Sequence, residues 1–306
     1  MLRTLLVPLD GSPLAERALP IAFDIARRVG GAVHLVRAHV PLAIVGANGE
    51  GILTQDLLAA DDTLRERAKS YVEATATRLA AEWGVRTVSH VDDGGASGLI
   101  TQVAGDILAD LIVMTTHGHG GFAPGWIGSV TDAVIRHSYR PVLALPENDA
   151  HGGATFTPRS IMVTLDGSAH SAAIIPAARA LAVVFGSRLE LVRIVAPYVP
   201  TDVLSNLQAL GPDPLGIDAE TKYAKKALDD MVASLDQSGV KATATVRVEL
   251  SPTRALLDHV QETDPDCVAV ATQGRGLSRL FIGSVADKLI RAAKRPVLVL
   301  HPPKDG

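Results

Sequence analysis

Gly128–Pro146 reads GSVTDAVIRHSYRPVLALP, and Gly283–His301 reads GSVADKLIRAAKRPVLVLH. The two stretches align without a gap and are identical at eleven of nineteen positions. Upstream the agreement continues. Leu5–Ser12 (LLVPLDGS) answers Ile161–Ser168 (IMVTLDGS), and a proline, Pro20 or Pro176, follows each of those serines by eight residues. LVRA (Leu35–Ala38) answers LVRI (Leu191–Ile194). The chain of 306 residues is therefore one unit of about 150 residues written twice.

Each copy alternates apolar runs of strand length with longer segments of helical period. In the first copy Thr4–Leu9 is a strand, and Ser12 caps a helix that opens on Pro13 and stops at Gly30. Val33–His39 is a second strand, and Val40–Thr54 reads as loop. Leu64, Ala68, Tyr71, Val72, Leu79 and Trp83 mark one face of a long helix. Val85–Val91, Leu111–Thr115 and Pro141–Leu145 complete five strands, with helices at Ala96–Leu108 and Gly128–His137. The second copy repeats the order, with strands near Ile161, Leu189, Ala242, Cys267 and Pro296. Continuously apolar strands alternating with helices predict a parallel sheet covered on both faces. Pro20 and Pro176 predict bends in their helices. Glu147–Pro158 (ENDAHGGATFTP) has no period and reads as a linker between domains 1–148 and 159–306.

Composition narrows the function. Lys and Arg number 29 against 33 Asp and Glu, interspersed along the chain, which gives no basic patch for nucleic acid. The single cysteine, Cys267, lies in CVAVAT and is expected to be a buried core thiol. The longest apolar stretch, Ser171–Gly186, contains Pro176 and Arg179 and is too short to span a bilayer. The start of the chain lacks signal-peptide character, so a soluble cytoplasmic protein with no membrane partner is the expectation.

In an open parallel sheet, ligands bind beyond the carboxyl ends of the strands. Asp10 ends the first strand there, and Thr115 ends the fourth. The glycine-rich run from Gly118 to Gly128 then leads into Ser129 at a helix start. Glycines admit a phosphate close to backbone N–H groups, and the helix dipole favours an anion. Ser129 is expected to cap that helix, with Asp132 completing a capping box, and Ser284 is expected to do the same in the second copy. An acid at a strand end suits a ribose hydroxyl, but Asp10 and Asp166 equally suit the turn of an Asp-Gly-Ser junction. His117 and His119 lack a third ligand, so no metal site is expected.

These residues carry a family resemblance. The chain resembles a tandem universal stress protein over nearly its whole length. The fold implied is α/β: two tandem five-stranded parallel-sheet domains, Rossmann-like and adenine nucleotide alpha hydrolase-like, forming a pseudo-twofold dimer. The resemblance implies that the last strands of the halves, PVLAL and PVLVL, pair across that axis. ATP-binding members carry glycine, two residues, glycine, nine residues, glycine, then Ser or Thr. Gly118, nine residues, Gly128 and Ser129 fit the later part, and Thr115 stands where the first glycine falls. By resemblance Asp10 holds the ribose, the backbone of Ala38 meets the adenine, and Gly118, Gly128, Ser129 and the amide of Val130 hold phosphates. The Thr115 position lies near the ribose. In the second copy Asp166 and Ile194 are in place, and Ala271 replaces the first glycine. Gly274 is followed by only eight residues before Gly283 and Ser284, which re-aims the loop amides. Arg275 and Arg279 offer partial compensation as phosphate partners.

The implied function is a stress-response regulator that binds ATP, with magnesium, mainly in the first domain. A scaffold with vestigial sites and a slow ATPase are the alternatives. No Walker lysine, paired acids beside a glycine loop or Ser–His–Asp arrangement is present, so no enzyme is expected. The expected partner is an adenine nucleotide. Further pairing of tandem chains into a homodimer is left open.

Overall fold

The computed structural model describes residues 1–42, 44–45, 51–52, 55–116, 127–147, 156–197, 217–272 and 283–303, with backbone alone at 44–45 and 51–52. The chain divides into two compact units, one built on Met1–Glu147 and the other on Phe156–Gly306. The first contains β1 (Thr4–Pro8), α1 (Pro13–Glu16), α2 (Ala18–Val29), β2 (Ala32–His39), β3 (Ile44–Val45), β4 (Gly51–Ile52), α3 (Gln55–Trp83) and β5 (Arg86–Asp93). It continues with α4 (Ala96–Asp106), β6 (Leu111–Thr115), α5 (Ser129–His137) and β7 (Val142–Leu145). The second contains β8 (Ser160–Leu165), α6 (Ala169–Ala172), α7 (Ile175–Phe185), β9 (Arg188–Val195), α8 (Ile217–Gln237) and β10 (Ala242–Val248). It ends with α9 (Pro252–Thr263), β11 (Cys267–Ala271), α10 (Ser284–Ala292) and β12 (Val297–Leu300).

Within the first unit the strands lie in the order β5-β2-β1-β6-β7, all parallel. Within the second the order is β10-β9-β8-β11-β12, again parallel. The central strands are apolar on both faces, as two covering helix layers require. Leu5, Leu6, Val7, Ile112, Val113 and Leu143 are wholly buried in one unit, and Ile161, Met162, Val163, Val268 and Ala269 in the other. Cys267 is wholly buried, as its apolar run predicts.

Three local expectations need correction. The first helix does not bend at its proline but breaks before it, into α1 and α2, with Arg17 between them. Pro20 has no N–H for the Glu16 carbonyl and its ring crowds that group, so the turn tightens to a bond from the Arg17 N–H to the Leu14 carbonyl. Pro176 coincides with the same break between α6 and α7. Within Val40–Thr54, β3 and β4 form a short antiparallel ladder. In α3 the buried stripe is Ala68, Val72, Ala76 and Leu79, while Leu64 is 42% exposed. A helix of 29 residues is about 44 Å long, against about 26 Å for β5. The amino-terminal turns of α3 therefore overhang the carboxyl edge of the sheet, where the candidate site lies.

Candidate functional site

The chain leaves β1 for β2 on one side, and β6 lies on the other side of β1. That reversal opens a crevice beyond the carboxyl ends of β1 and β6. Asp10 stands at its β1 lip, and Thr115 and Thr116 at its β6 lip. Gly11, at φ +86°, turns the chain into α1; a β-carbon there would meet the Arg37 guanidinium at 3.0 Å. One Asp10 carboxylate oxygen accepts the Ser12 N–H at 2.8 Å, and the Ser12 hydroxyl accepts the Ala15 N–H at 3.1 Å. Asp10 thus has a structural duty whatever else it binds.

Ala38 is placed by sheet geometry. The Leu9 N–H donates to the Val36 carbonyl, so Val36 directs its backbone groups toward β1. Two residues on, Ala38 directs its own the same way, past the point where β1 has ended. His39 faces the other side, where its carbonyl accepts the Gly94 N–H at 2.8 Å. The Ala38 N–H and carbonyl therefore line the crevice. Behind them buried His39 pairs through Nε2 with Asp61 on the α3 overhang at 3.0 Å. Asp61 also accepts the Leu42 N–H at 2.7 Å, and that bond, helped by His39, holds its carboxyl below the usual carboxylate range.

On the β6 lip, the Gly128 N–H donates to the Thr116 carbonyl at 2.7 Å, and the Thr131 hydroxyl donates to the Thr115 carbonyl at 2.9 Å. These bonds seat the start of α5 against the end of β6. Gly128 is the cap of α5, and Ser129 is its first helical residue, with no side-chain capping bond. The expected capping box is absent because the Gly128 carbonyl already takes the Asp132 N–H, while the Asp132 carboxylate pairs with Arg136. Gly283 likewise caps α10 in place of Ser284. The Gly128 amide is committed to Thr116, so the Ser129 and Val130 amides, on exposed residues with no intrahelical acceptor, are the groups left to meet an anion. Thr115 is 5% exposed, which leaves little of its side chain to touch a ligand. Gly118, His117 and His119 lie outside the described residues, as do Gly274, Arg275 and Arg279.

An aromatic and charged wall flanks Asp10 and escapes sequence reading. The Arg37 guanidinium lies 5.0 Å above the Tyr71 ring, and the Tyr71 hydroxyl donates to Glu16 at 2.6 Å. Burial, reinforced by the Glu16 bond and charge, pushes the Tyr71 phenol well above the ordinary tyrosine value. Arg37 and Arg193 recur in LVRA and LVRI, and that repetition was the available signal.

The second unit repeats the frame and alters the lip. Asp166 accepts the Ser168 N–H at 2.9 Å and the Ser168 hydroxyl at 2.6 Å. Burial alone would raise its carboxyl, but those bonds hold it below the usual range. Ile194 faces the crevice as Ala38 does, since the Val195 carbonyl turns to Glu249 on the far side. The Thr272 carbonyl, however, takes Nε2 of His170 at 2.7 Å in place of a glycine amide. Ala271 is half-buried at the end of β11.

Each unit is thus a doubly wound, Rossmann-like parallel α/β domain with a crevice at its switch point. The universal stress protein family model matches residues 1–146 and again 158–301, and the chain belongs to that family. Universal stress protein MJ0531 of Methanocaldococcus jannaschii is 29% identical over 143 residues, 47% of this chain and 81% of that one. Sll1654 of Synechocystis is 34% identical over 146 residues, 48% and 87% of the two chains. Among solved structures, a universal stress protein from Archaeoglobus fulgidus matches 98% of both chains with a TM-score of 0.68 at 16% identity, a likeness of fold.

Proposed function

We propose that this chain is a stress-response regulatory protein that binds an adenine nucleotide, ATP with magnesium, mainly in its first domain, and performs no catalysis. One observation carries the reading: the first crevice gathers the Ala38 backbone edge, the Asp10 carboxylate and the open amides of Ser129 and Val130 around one switch point. The Ala38 edge suits the hydrogen-bonding rim of adenine, Asp10 a ribose hydroxyl, and the start of α5 the phosphates. Magnesium would serve as counter-ion to those phosphates. Preference for the first domain is supported by the His170 bond to Thr272 and by the loop one residue shorter before Gly283.

Calorimetric titration with ATP and magnesium tests this. A stoichiometry nearer one than two per chain is expected. Asp10→Asn keeps an acceptor for the Ser12 N–H but removes the charge, and should weaken binding without loss of fold. Asp166→Asn should change little. Gly128→Val, at a φ of −58° that valine tolerates, should leave the melting temperature within a few degrees while abolishing the ATP-induced shift. ADP should not accumulate. Two equal sites would refute the preference for the first domain. Absence of both binding and co-purifying nucleotide would favour the scaffold reading, which the burial of Thr115 at the first motif glycine's place supports.

A further inference from the structure

At the opposite, amino-terminal end of the second sheet lies an open cavity of about 520 Å³. Arg159, Arg188 and Lys241 line it, with Gly186, Ser187, Ser238 and Gly239 between them. The three cations stand at the starts of neighbouring strands. The Arg188 N–H donates to the Arg159 carbonyl and the Leu189 N–H to the Lys241 carbonyl, each at 2.9 Å. Neighbouring strands are about 4.8 Å apart, so three positive side chains are rooted within about 10 Å. All three are exposed, and among the described residues none forms an ion pair. Among the described residues no carboxylate lines the cavity. Two acids beside the row turn to backbone: Asp266 accepts the Arg159 and Ser160 N–H groups, and Asp236 accepts that of Ala242. At the rim Arg179 is fixed by bonds to the Ser238 hydroxyl and carbonyl.

The first unit supplies an internal control. Its corresponding row is Arg3, Ala32 and Arg86: the Ala32 N–H donates to the Arg3 carbonyl, and Ala32 is level with Arg86. The frame there is the same, including Asp110, which accepts the Arg3 and Thr4 N–H groups as Asp266 does in its own unit. The fold therefore does not require a central cation. Like charges brought this close repel unless an anion neutralises them. A cavity of this size falls in the range of small-ligand sites.

We propose that this cavity is a second ligand site, distinct from the nucleotide crevice, for a compact anion bearing two or more phosphates. Arg159 and Arg188 grip phosphate oxygens with their planar forks, and Lys241 adds a point charge. The chemistry is shared by a soluble polyphosphate and by a phosphorylated lipid headgroup.

The test uses the full chain at low ionic strength, in a Gly128→Val background that keeps the crevice loop out of the readout. Inorganic tripolyphosphate is titrated against that protein, against a variant adding Arg159→Gln, Arg188→Gln and Lys241→Gln, and against one adding Arg3→Gln and Arg86→Gln. The triple change should weaken binding by at least about tenfold, the loss expected for one charge-assisted contact. The double change should leave it within about twofold, and melting temperatures should match because every altered side chain is exposed. A parallel sedimentation with vesicles of anionic or zwitterionic lipid identifies the source. Binding of anionic vesicles lost with the triple change points to a headgroup, and binding of tripolyphosphate alone to a soluble ligand. No binding of either probe, equal loss in both variants, or no loss in the triple variant would overturn the proposal.

Discussion

Gly11→Ala separates the two constraints that converge on the Asp10 turn. The first is backbone: at φ +86° an alanine pays about 1–2 kcal/mol that glycine does not. The second is steric: the new β-carbon would stand 3.0 Å from Nη1 of Arg37 and displace the guanidinium from its place 5.0 Å above Tyr71. That contact contributes about 0.5–1 kcal/mol at a partly exposed site. Together the substitution should cost about 1.5–3 kcal/mol. In an Arg37→Ala background the steric part is already gone, so the same change should cost only about 1–2 kcal/mol. Both tryptophans, Trp83 and Trp126, belong to the first domain, so intrinsic fluorescence during urea unfolding follows that domain alone. A cost under about 0.5 kcal/mol, or one undiminished when Arg37 is absent, would refute the reasoning.

Acid should weaken the first domain through His34 and His90, whose Nδ1 and Nε2 lie 2.8 Å apart in stacked rings. Burial lowers both pKa values from 6.5, and for His34 the His90 and Arg86 charges lower it further. The unfolded chain then takes up protons first, so stability is full above pH 6.5 and falls below it, and His34→Gln with His90→Gln should flatten the fluorescence-monitored profile. Asp110→Ala removes one acceptor from two N–H groups and should cost about 1–3 kcal/mol, with faster hydrogen exchange at Arg3 and Thr4. The apolar PVLAL and PVLVL strands lead us to expect that domains 1–148 and 159–306, made separately, associate on a sizing column; two non-interacting monomers would contradict that expectation.

Much of the frame was legible because it repeats and because its causes are local. Strand–helix alternation, the parallel sheet and the burial of Cys267 follow from apolar runs that tertiary packing has no reason to override. The errors arose where a backbone bond decided between equivalent local options. Ser129 is a good capping residue, yet the Thr116 carbonyl pulls the Gly128 N–H inward and makes glycine the cap. Pro20 signals a disturbance, but whether the helix bends or breaks depends on whether the preceding turn can tighten. The strand-end positions of the candidate residues were legible, since Asp10, Ala38 and Thr115 stand at or just beyond the carboxyl ends of β1, β2 and β6. The wall of the site was not, because Arg37, Tyr71 and Glu16 lie far apart in sequence and meet only when α3 crosses β2. The same holds for His39 and Asp61.

Duplication also changes what recurrence can prove. Asp-Gly-Ser opens both units, but the turn alone accounts for it: each aspartate accepts its serine N–H, each glycine has a positive φ, and each serine caps a helix. Recurrence of that turn therefore reports the fold and adds nothing to the case for a ligand, and the difference between the two crevices must be sought where the copies part. Among the described residues of the two crevices, they part at the carbonyl that closes the strand end. Thr116 receives the Gly128 amide, whereas Thr272, 1% exposed, receives His170, which stands where the first copy has Leu14. If the shorter loop is the cause, the histidine is its compensation. His170→Leu alone should then strand the Thr272 carbonyl and cost the second domain about 1–3 kcal/mol by thermal unfolding. Inserting one glycine after Gly276 restores the nine-residue spacing, which lets the Gly283 amide reach that carbonyl. The double change should recover most of the loss, and a second heat of ATP binding should appear. A neutral His170→Leu would show that the loop closes without help, and the asymmetry between the domains would need another origin.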